Sequence, residues 1–313
     1  MPEMTSILEV SQQSAPPPEH VTIRNVLVPT DLSEFSERAL RFAIGIAGRY
    51  ESNLHLFHCV DPRPFNLAED PQAAQTTCDD VRRDLKGIAG NLRRQYRARN
   101  FDVKALVTAG DFAENLQRVL EDLDPGLIVV GTHGRTGLRK LMLGSVTEAV
   151  IDRASCPVLT VGPWTDRTRL QEFGPRNILL ARSRSNPSTM AESYAFSVAR
   201  KYGSRLTLVD VLDDRGGRVH AEISQLEWYE ASQMDTASVS PNTTSLQVPI
   251  EIDTQSDLIL NMADQSDADL IVLAVPRNHR FTDRFVSTDS YRVVCGSPCP
   301  VLTVRAGAQE AGQ

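Results

Sequence analysis

No stretch of this chain approaches the ~20 consecutive apolar residues that a membrane-crossing helix requires. Positive charge is also short: 33 Lys and Arg face 40 Asp and Glu, which leaves a formal charge of −7. Proteins that hold nucleic-acid backbones or membrane surfaces use clustered positive charge to displace counterions, so neither partner is expected. Cysteine is sparse and odd in number, with Cys59, Cys78, Cys156, Cys295 and Cys299 the full set. That argues against a disulfide framework and fits a reducing, cytoplasmic setting. Met1–His20 is polar, carries Pro16-Pro17-Pro18 and lacks the apolar core of a secretion signal, so it reads as a disordered tail. Familiar catalytic and cofactor signatures are missing too. There is no Walker loop ending in Gly-Lys-Ser/Thr, no Gly-x-Gly-x-x-Gly, no Gly-x-Ser-x-Gly and no His-Glu-x-x-His.

What the chain does have is repetition. Its 313 residues exceed what one core commonly supports, and 41% hydrophobic residues are enough for two. Asp124-Pro125-Gly126-Leu127-Ile128-Val129-Val130 matches Asp267-Ala268-Asp269-Leu270-Ile271-Val272-Leu273 at a separation of 143 positions. Cys156-Pro157-Val158-Leu159-Thr160-Val161 matches Cys299-Pro300-Val301-Leu302-Thr303-Val304 at the same separation. Arg24-Asn25-Val26-Leu27-Val28 matches Arg176-Asn177-Ile178-Leu179-Leu180 at 152. Repetition at domain length means duplication of a whole fold. The expected organisation is a first domain over 21–163, a linker over 164–174, a second domain over 175–306 and a short tail over 307–313.

Strand and helix patterns alternate through the first copy. Strands are expected at 25–30, 53–60, 103–108, 127–131 and 157–162, with a helix after Ser33 and further helices at 73–98, 112–123 and 145–154 between them. Ser33 can cap the first helix, Glu34 and Glu37 suit its positive end, and Ala39, Leu40, Ala43, Ile44 and Ala47 form its apolar stripe. The second copy reads the same way, with strands at 177–181, 205–211, 247–252, 270–275 and 300–304. Its helices are expected at 188–201, 219–233, 256–265 and 288–294, with an exposed loop over 232–245. Such alternation implies an α/β fold, with parallel strands joined by right-handed crossovers and helices on both faces. The short fifth strands follow a proline and would lie at sheet edges. Since an apolar edge needs cover, the two copies are expected to pair there as an internal pseudo-dimer.

One loop carries most of the functional signal. Gly131-Thr132-His133-Gly134, nine residues, then Gly144-Ser145 lie between the buried strand Leu127–Val130 and a helix beginning Ser145-Val146-Thr147-Glu148. Glycine-rich turns leading into helix N-termini hold phosphate groups. The glycines remove side chains where a backbone approaches a ligand, or supply positive φ. Ser145 and Glu148 form a capping-box pattern, while Arg135, Arg139 and Lys140 add positive charge. Asp31, just past the first strand, would lie beside the loop, where open parallel sheets bind ligands. Donors for phosphates and an acid for a ribose hydroxyl or base amine suit a nucleotide.

On these residues the chain resembles the universal stress protein family. Val26-Leu27-Val28-Pro29-Thr30-Asp31 is similar to that family's opening strand, and Gly131-x2-Gly134-x9-Gly144-Ser145 to its ATP-binding motif. The resemblance implies two tandem open parallel five-stranded sheets of strand order 3-2-1-4-5 and a role in stress tolerance. It implies ATP as the nucleotide, with AMP as the alternative and magnesium able to accompany the phosphates. By position, Pro29, Thr30 and Asp31 would border the adenosine, and Val60 would meet the base through its backbone. Gly131, Thr132, Gly134 and Arg135 would hold ribose and phosphate, and Gly144, Ser145, Val146 and Thr147 the remaining phosphates.

The second copy departs from the motif. Ala274, Arg277 and Ser287 replace the glycines, Thr288 replaces Ser145, Ser183 replaces Asp31 and Tyr291 replaces Glu148. It is expected not to bind ATP, although Arg277, His279, Arg280 and Arg284 keep its loop basic. Other features read as structural. His133 has no orienting partner, Cys295-x3-Cys299 has no companion pair for zinc, and the charged run from Asp79 to Arg94 reads as a solvated helix face. Trp164 and Trp228 read as packing residues. The expected function is regulatory or assembly-directing ATP binding by the first copy, within a chain that can dimerise further. The alternatives are a slow ATPase or phosphotransferase using Ser145 or Thr147 as acceptor, and a nucleotide-free dimerisation scaffold.

Overall fold

The structure, a computed structural model, describes residues 21–61, 71–96, 102–132, 143–163, 165, 174–183, 188–213, 219–226, 246–248, 254–275 and 288–305. The terminal tails, most of the linker, both tryptophans and the stretch 232–245 lie outside them. The first half runs β1 (Asn25–Pro29), α1 (Glu34–Tyr50), β2 (Asn53–Val60), α2 (Pro71–Gln95), β3 (Val103–Ala109), α3 (Phe112–Leu123), β4 (Leu127–Gly131), α4 (Ser145–Arg153) and β5 (Val158–Val161). The second runs β6 (Asn177–Ser183), α5 (Thr189–Tyr202), β7 (Arg205–Asp213), β8 (Val219–Leu226), β9 (Leu246–Val248), α6 (Gln255–Gln265), β10 (Leu270–Val275), α7 (Asp289–Gly296) and β11 (Val301–Arg305).

In the first half the strands are parallel in the order β3-β2-β1-β4-β5. The halves do not form two separate sheets. β5 pairs antiparallel with β11, with Leu159 opposite Leu302, and this joins all eleven strands into one sheet. Two buried threonines reciprocate across that seam: Thr160 Oγ1 donates to the Val301 carbonyl at 3.1 Å and Thr303 Oγ1 to the Val158 carbonyl at 3.2 Å.

The second half is mixed rather than parallel, and the helix expected over 219–233 is a strand where it is described. β8 runs antiparallel to β7 from Asp213↔Val219 to Leu206↔Leu226, and β9 runs antiparallel to β8. The reason is in the pattern: Val219, Ala221 and Ile223 alternate with His220, Glu222 and Ser224, a period of two. The short link from Asp213 to Val219 suits a hairpin and cannot carry the crossover that a parallel neighbour needs.

Alternation along the strands gives each sheet face its own core. Val26, Val28, Leu180 and Val304 point to one face, beneath α1 and α5; Leu27, Ile128, Leu179 and Val301 point to the other, beneath α3, α4, α6 and α7. Both cores cross from one half to the other. On the first face, Arg49 at the end of α1 donates to the Lys201 carbonyl at 3.0 Å and lies 5.6 Å from the Tyr202 ring centre. The charged run on α2 is a solvated face, with Asp79–Arg82 and Asp80–Arg83 ion pairs at its surface. None of the five cysteines forms a disulfide, and among the described residues no cluster of side chains suits a metal. Among them, too, no helix is long and apolar enough to cross a membrane.

Candidate functional site

The strand order reverses direction between β1 and β4, and a parallel sheet opens a crevice at such a switch point, beyond the carboxyl ends of its strands. Pro29, Thr30 and Asp31 stand there at the end of β1, Val60 at the end of β2 and Gly131 at the end of β4, with the start of α4 beside them. The fold therefore brings together the described members of the motif. Gly134, Arg135, His133, Arg139 and Lys140 lie outside the described residues.

The end of β1 is held by a local network. Thr30 Oγ1 donates to Ser36 Oγ at 3.0 Å and accepts the Leu32 N–H at 3.1 Å. Asp31 Oδ1 accepts the Ser33 N–H at 3.0 Å, which closes a turn in which Leu32 takes a left-handed φ of 63°. Ser33 then caps α1 by accepting the Ser36 N–H. His58 Nδ1 lies 2.7 Å from the Thr30 carbonyl, which can only accept, so the proton is on Nδ1. His58 is a supporting residue that sequence reading passed over; its only signal is a polar side chain near the end of an apolar strand. The Val60 carbonyl already accepts the Gly110 N–H at 3.1 Å.

The ends of the glycine loop are tied tightly. The Gly144 N–H donates to the Thr132 carbonyl at 2.9 Å, and the Thr132 N–H to the Val161 carbonyl at 3.0 Å. Thr147 Oγ1 donates to the Gly131 carbonyl at 2.6 Å. Thr132 and Thr147 are each 1% exposed, so their side chains serve the fold. Gly131 is explained without a ligand: a Cβ there would lie 2.8 Å from the Phe35 carbonyl oxygen in the first turn of α1. Among the described residues the glycines of positive φ are Gly110 and Gly203, and neither Gly131 nor Gly144 is one of them.

The helix start also differs from the capping box. Gly144 is the N-cap of α4, with φ −70° and ψ 149°, and contributes no side-chain acceptor; Ser145 is the first helical residue and is exposed. In α1, α3, α5, α6 and α7, by contrast, a Ser, Asp or Thr side chain accepts a first-turn amide. The counterpart α7 is capped by Thr288, whose Oγ1 accepts the Tyr291 N–H at 3.3 Å. A first turn without an internal acceptor offers its N–H groups, and the positive end of its dipole, to an outside anion.

At the equivalent strand ends of the second half, the described residues enclose a cavity of about 60 Å³, lined by Arg182, Val211, Leu273, Ala274, Asp289 and Ser290. Small-molecule pockets need roughly 300–1,000 Å³. Arg182 stands opposite Asp210 on β7, as Thr30 stands beside His58, and is held by Asp210 at 2.5 Å and Glu192 at 3.4 Å. Sequence reading also missed this arginine, because its partners come from β7 and α5. Arg277, Ser287, His279, Arg280 and Arg284 lie outside the described residues.

A groove of about 840 Å³ lies between α1 and α2, walled by Leu40, Ile44, Leu56, Leu85, Ile88 and Leu92. It runs along a sheet face and reaches the end of β1, where Thr30, Leu32 and Ser33 also line it.

The family model for the universal stress proteins matches residues 22–162 and again 174–305. The chain belongs to the universal stress protein family. Two universal stress proteins of Methanocaldococcus jannaschii are each 28% identical to it, over 155 and 138 residues. The matches cover 45% and 44% of this chain and 96% and 81% of those proteins, so each single-copy relative aligns with about half of this universal stress protein. Across both halves, the crystal structure of a universal stress protein from Archaeoglobus fulgidus matches with a TM-score of 0.65. It covers 91% of this chain and 97% of its own at 21% identity, a likeness of fold.

Proposed function

We propose that this tandem universal stress protein binds an adenine nucleotide, ATP with AMP as the alternative, in its first half. The observation that carries this reading is the start of α4, where a glycine N-cap gives the first-turn amides no capping side chain among the described residues, beside Asp31. Ser145, Val146 and Thr147 would meet phosphates through backbone N–H groups, because the Gly144 N–H is engaged by Thr132 and the Thr147 hydroxyl by Gly131. The Asp31 carboxylate, an acceptor at the end of β1, suits a ribose hydroxyl. Magnesium would accompany the phosphates as their counterion.

The second half, whose strand ends carry the Arg182–Asp210 pair and whose α7 is capped by Thr288, serves as a fixed partner domain. The nucleotide acts as a conformational or assembly ligand, favouring whichever state binds it better. Of the two hydroxyls available to a phosphotransfer reading, the buried one on Thr147 is tied to the Gly131 carbonyl, which leaves Ser145.

Titration calorimetry of the full chain with ATP tests the reading, with Gly144→Val as the control. Binding by the wild type and none by the variant is the expected result. No heat at millimolar ATP from folded wild-type protein would favour a nucleotide-free scaffold.

A further inference from the structure

The first half's candidate site is not built by the first half alone. Leu143 immediately precedes the Gly144 N-cap, is 6% exposed, and donates its N–H to the Tyr291 phenol oxygen at 3.3 Å. Tyr291 belongs to α7, in the second half, and packs against the core that includes Leu143. Cys295, one turn further along α7, lies close to the same phenol and the same Leu143 amide. Burial raises the Tyr291 pKa, so the phenol stays protonated while its oxygen accepts from Leu143.

The peptides entering α4 are therefore fixed from two sides. Thr132 of the first half accepts from Gly144, and Tyr291 of the second half accepts from Leu143. At the matching place the first half carries Glu148, so the exchange that marks the second copy as divergent also supplies the phenol that reaches across.

We propose that Tyr291 is a positioning residue for the phosphate end of the first half's nucleotide site, so that the second half sets that site's affinity without binding nucleotide. The proposal rests on the nucleotide reading above. Phosphate groups would feel the clamp because it orients the start of α4, while the nucleoside end, at β1 and β2, would not.

The test uses the full chain and Tyr291→Phe, which keeps the ring and removes only the hydroxyl, with Tyr291→Leu as a second variant. Thermal melts check that both variants fold. Hydrogen exchange of the Leu143 amide without nucleotide should quicken about tenfold in Tyr291→Phe as its acceptor is lost. ATP affinity should fall about three- to tenfold, the range of one net hydrogen bond. Adenosine affinity should stay unchanged, a split that general loosening of the fold would not produce. Equal losses for ATP and adenosine, or unchanged ATP affinity beside quickened exchange, would overturn the positioning role alone. A wild type that takes up no ATP would remove the nucleotide reading, and the proposal with it.

Discussion

Gly131 and Gly144 are one residue type put to two uses, and substitution separates them. At Gly131 a methyl group would press on the Phe35 backbone, which cannot swing aside as a side chain could. Gly131→Ala should therefore destabilise the protein by about 1–3 kcal/mol, read as a lowered urea midpoint. At Gly144 the backbone already adopts an extended conformation open to any residue. Gly144→Val should leave stability within about 1 kcal/mol of wild type while abolishing ATP uptake by calorimetry. Both glycines stand out in the sequence, but their division of labour does not, because the atom that forbids a side chain at Gly131 arrives from α1. The same holds for the threonines: Thr147 looks like a phosphate contact in the linear motif, and only its burial against Gly131 shows that it is a tie.

A second residue-scale prediction concerns acid. His55 is buried on β2, its Nε2 lies 3.3 Å from Asn25 Oδ1, and its Nδ1 has no hydrogen-bond partner among the described residues. Burial, then the neighbouring Lys104 charge, lowers its pKa below the ordinary 6.5. The unfolded chain thus binds a proton at pH values where the folded one does not. Stability from this group is complete above pH 6.5 and is lost as pH falls toward the lowered folded value. Urea midpoints measured from pH 7.5 down to 5 should decline, and His55→Gln should flatten that decline. An unchanged slope in the variant would show that other groups govern acid sensitivity.

At the scale of elements, α4 depends on ties from outside itself. Its start is held by the Thr147–Gly131 hydrogen bond, and at its other end Arg305 of β11 donates to the Ile151 and Asp152 carbonyls at 2.8 and 2.7 Å. Thr147→Val keeps the shape but leaves a buried carbonyl unpaired, at a cost of about 1–3 kcal/mol in denaturant melts. Thr147→Ser restores the donor and should recover most of the loss. Most elements were legible because local chemistry announces them: Ser33, Asp111, Ser188, Thr254 and Thr288 each precede a helix and cap it. β8 was not, although its alternation is plain in retrospect. Charged and small residues from Val219 onward also suit a helix, and the pairing with β7 that decides the matter is a tertiary contact. The candidate site divides the same way. The motif's spacing announces it, whereas His58, Arg182 and Tyr291 act through partners supplied by other strands or the other half.

The largest scale follows from the seam. The apolar run Val158–Val161 is visible in the sequence as an edge that needs cover, and β11 covers it, so both cores extend across the boundary between halves. Cooperativity should extend with them. Calorimetric and van't Hoff enthalpies of unfolding should agree, giving one transition for the described fold rather than one per half. A fragment ending at Pro163 would expose β5 together with the apolar surface that faces α5 and α7. Unpaired strand edges of this kind recruit another copy, so the fragment should self-associate or aggregate. Sedimentation velocity distinguishes the outcomes. A monodisperse, folded monomer of that fragment would mean that the seam is a convenience of the tandem arrangement, with no essential part in holding either core shut.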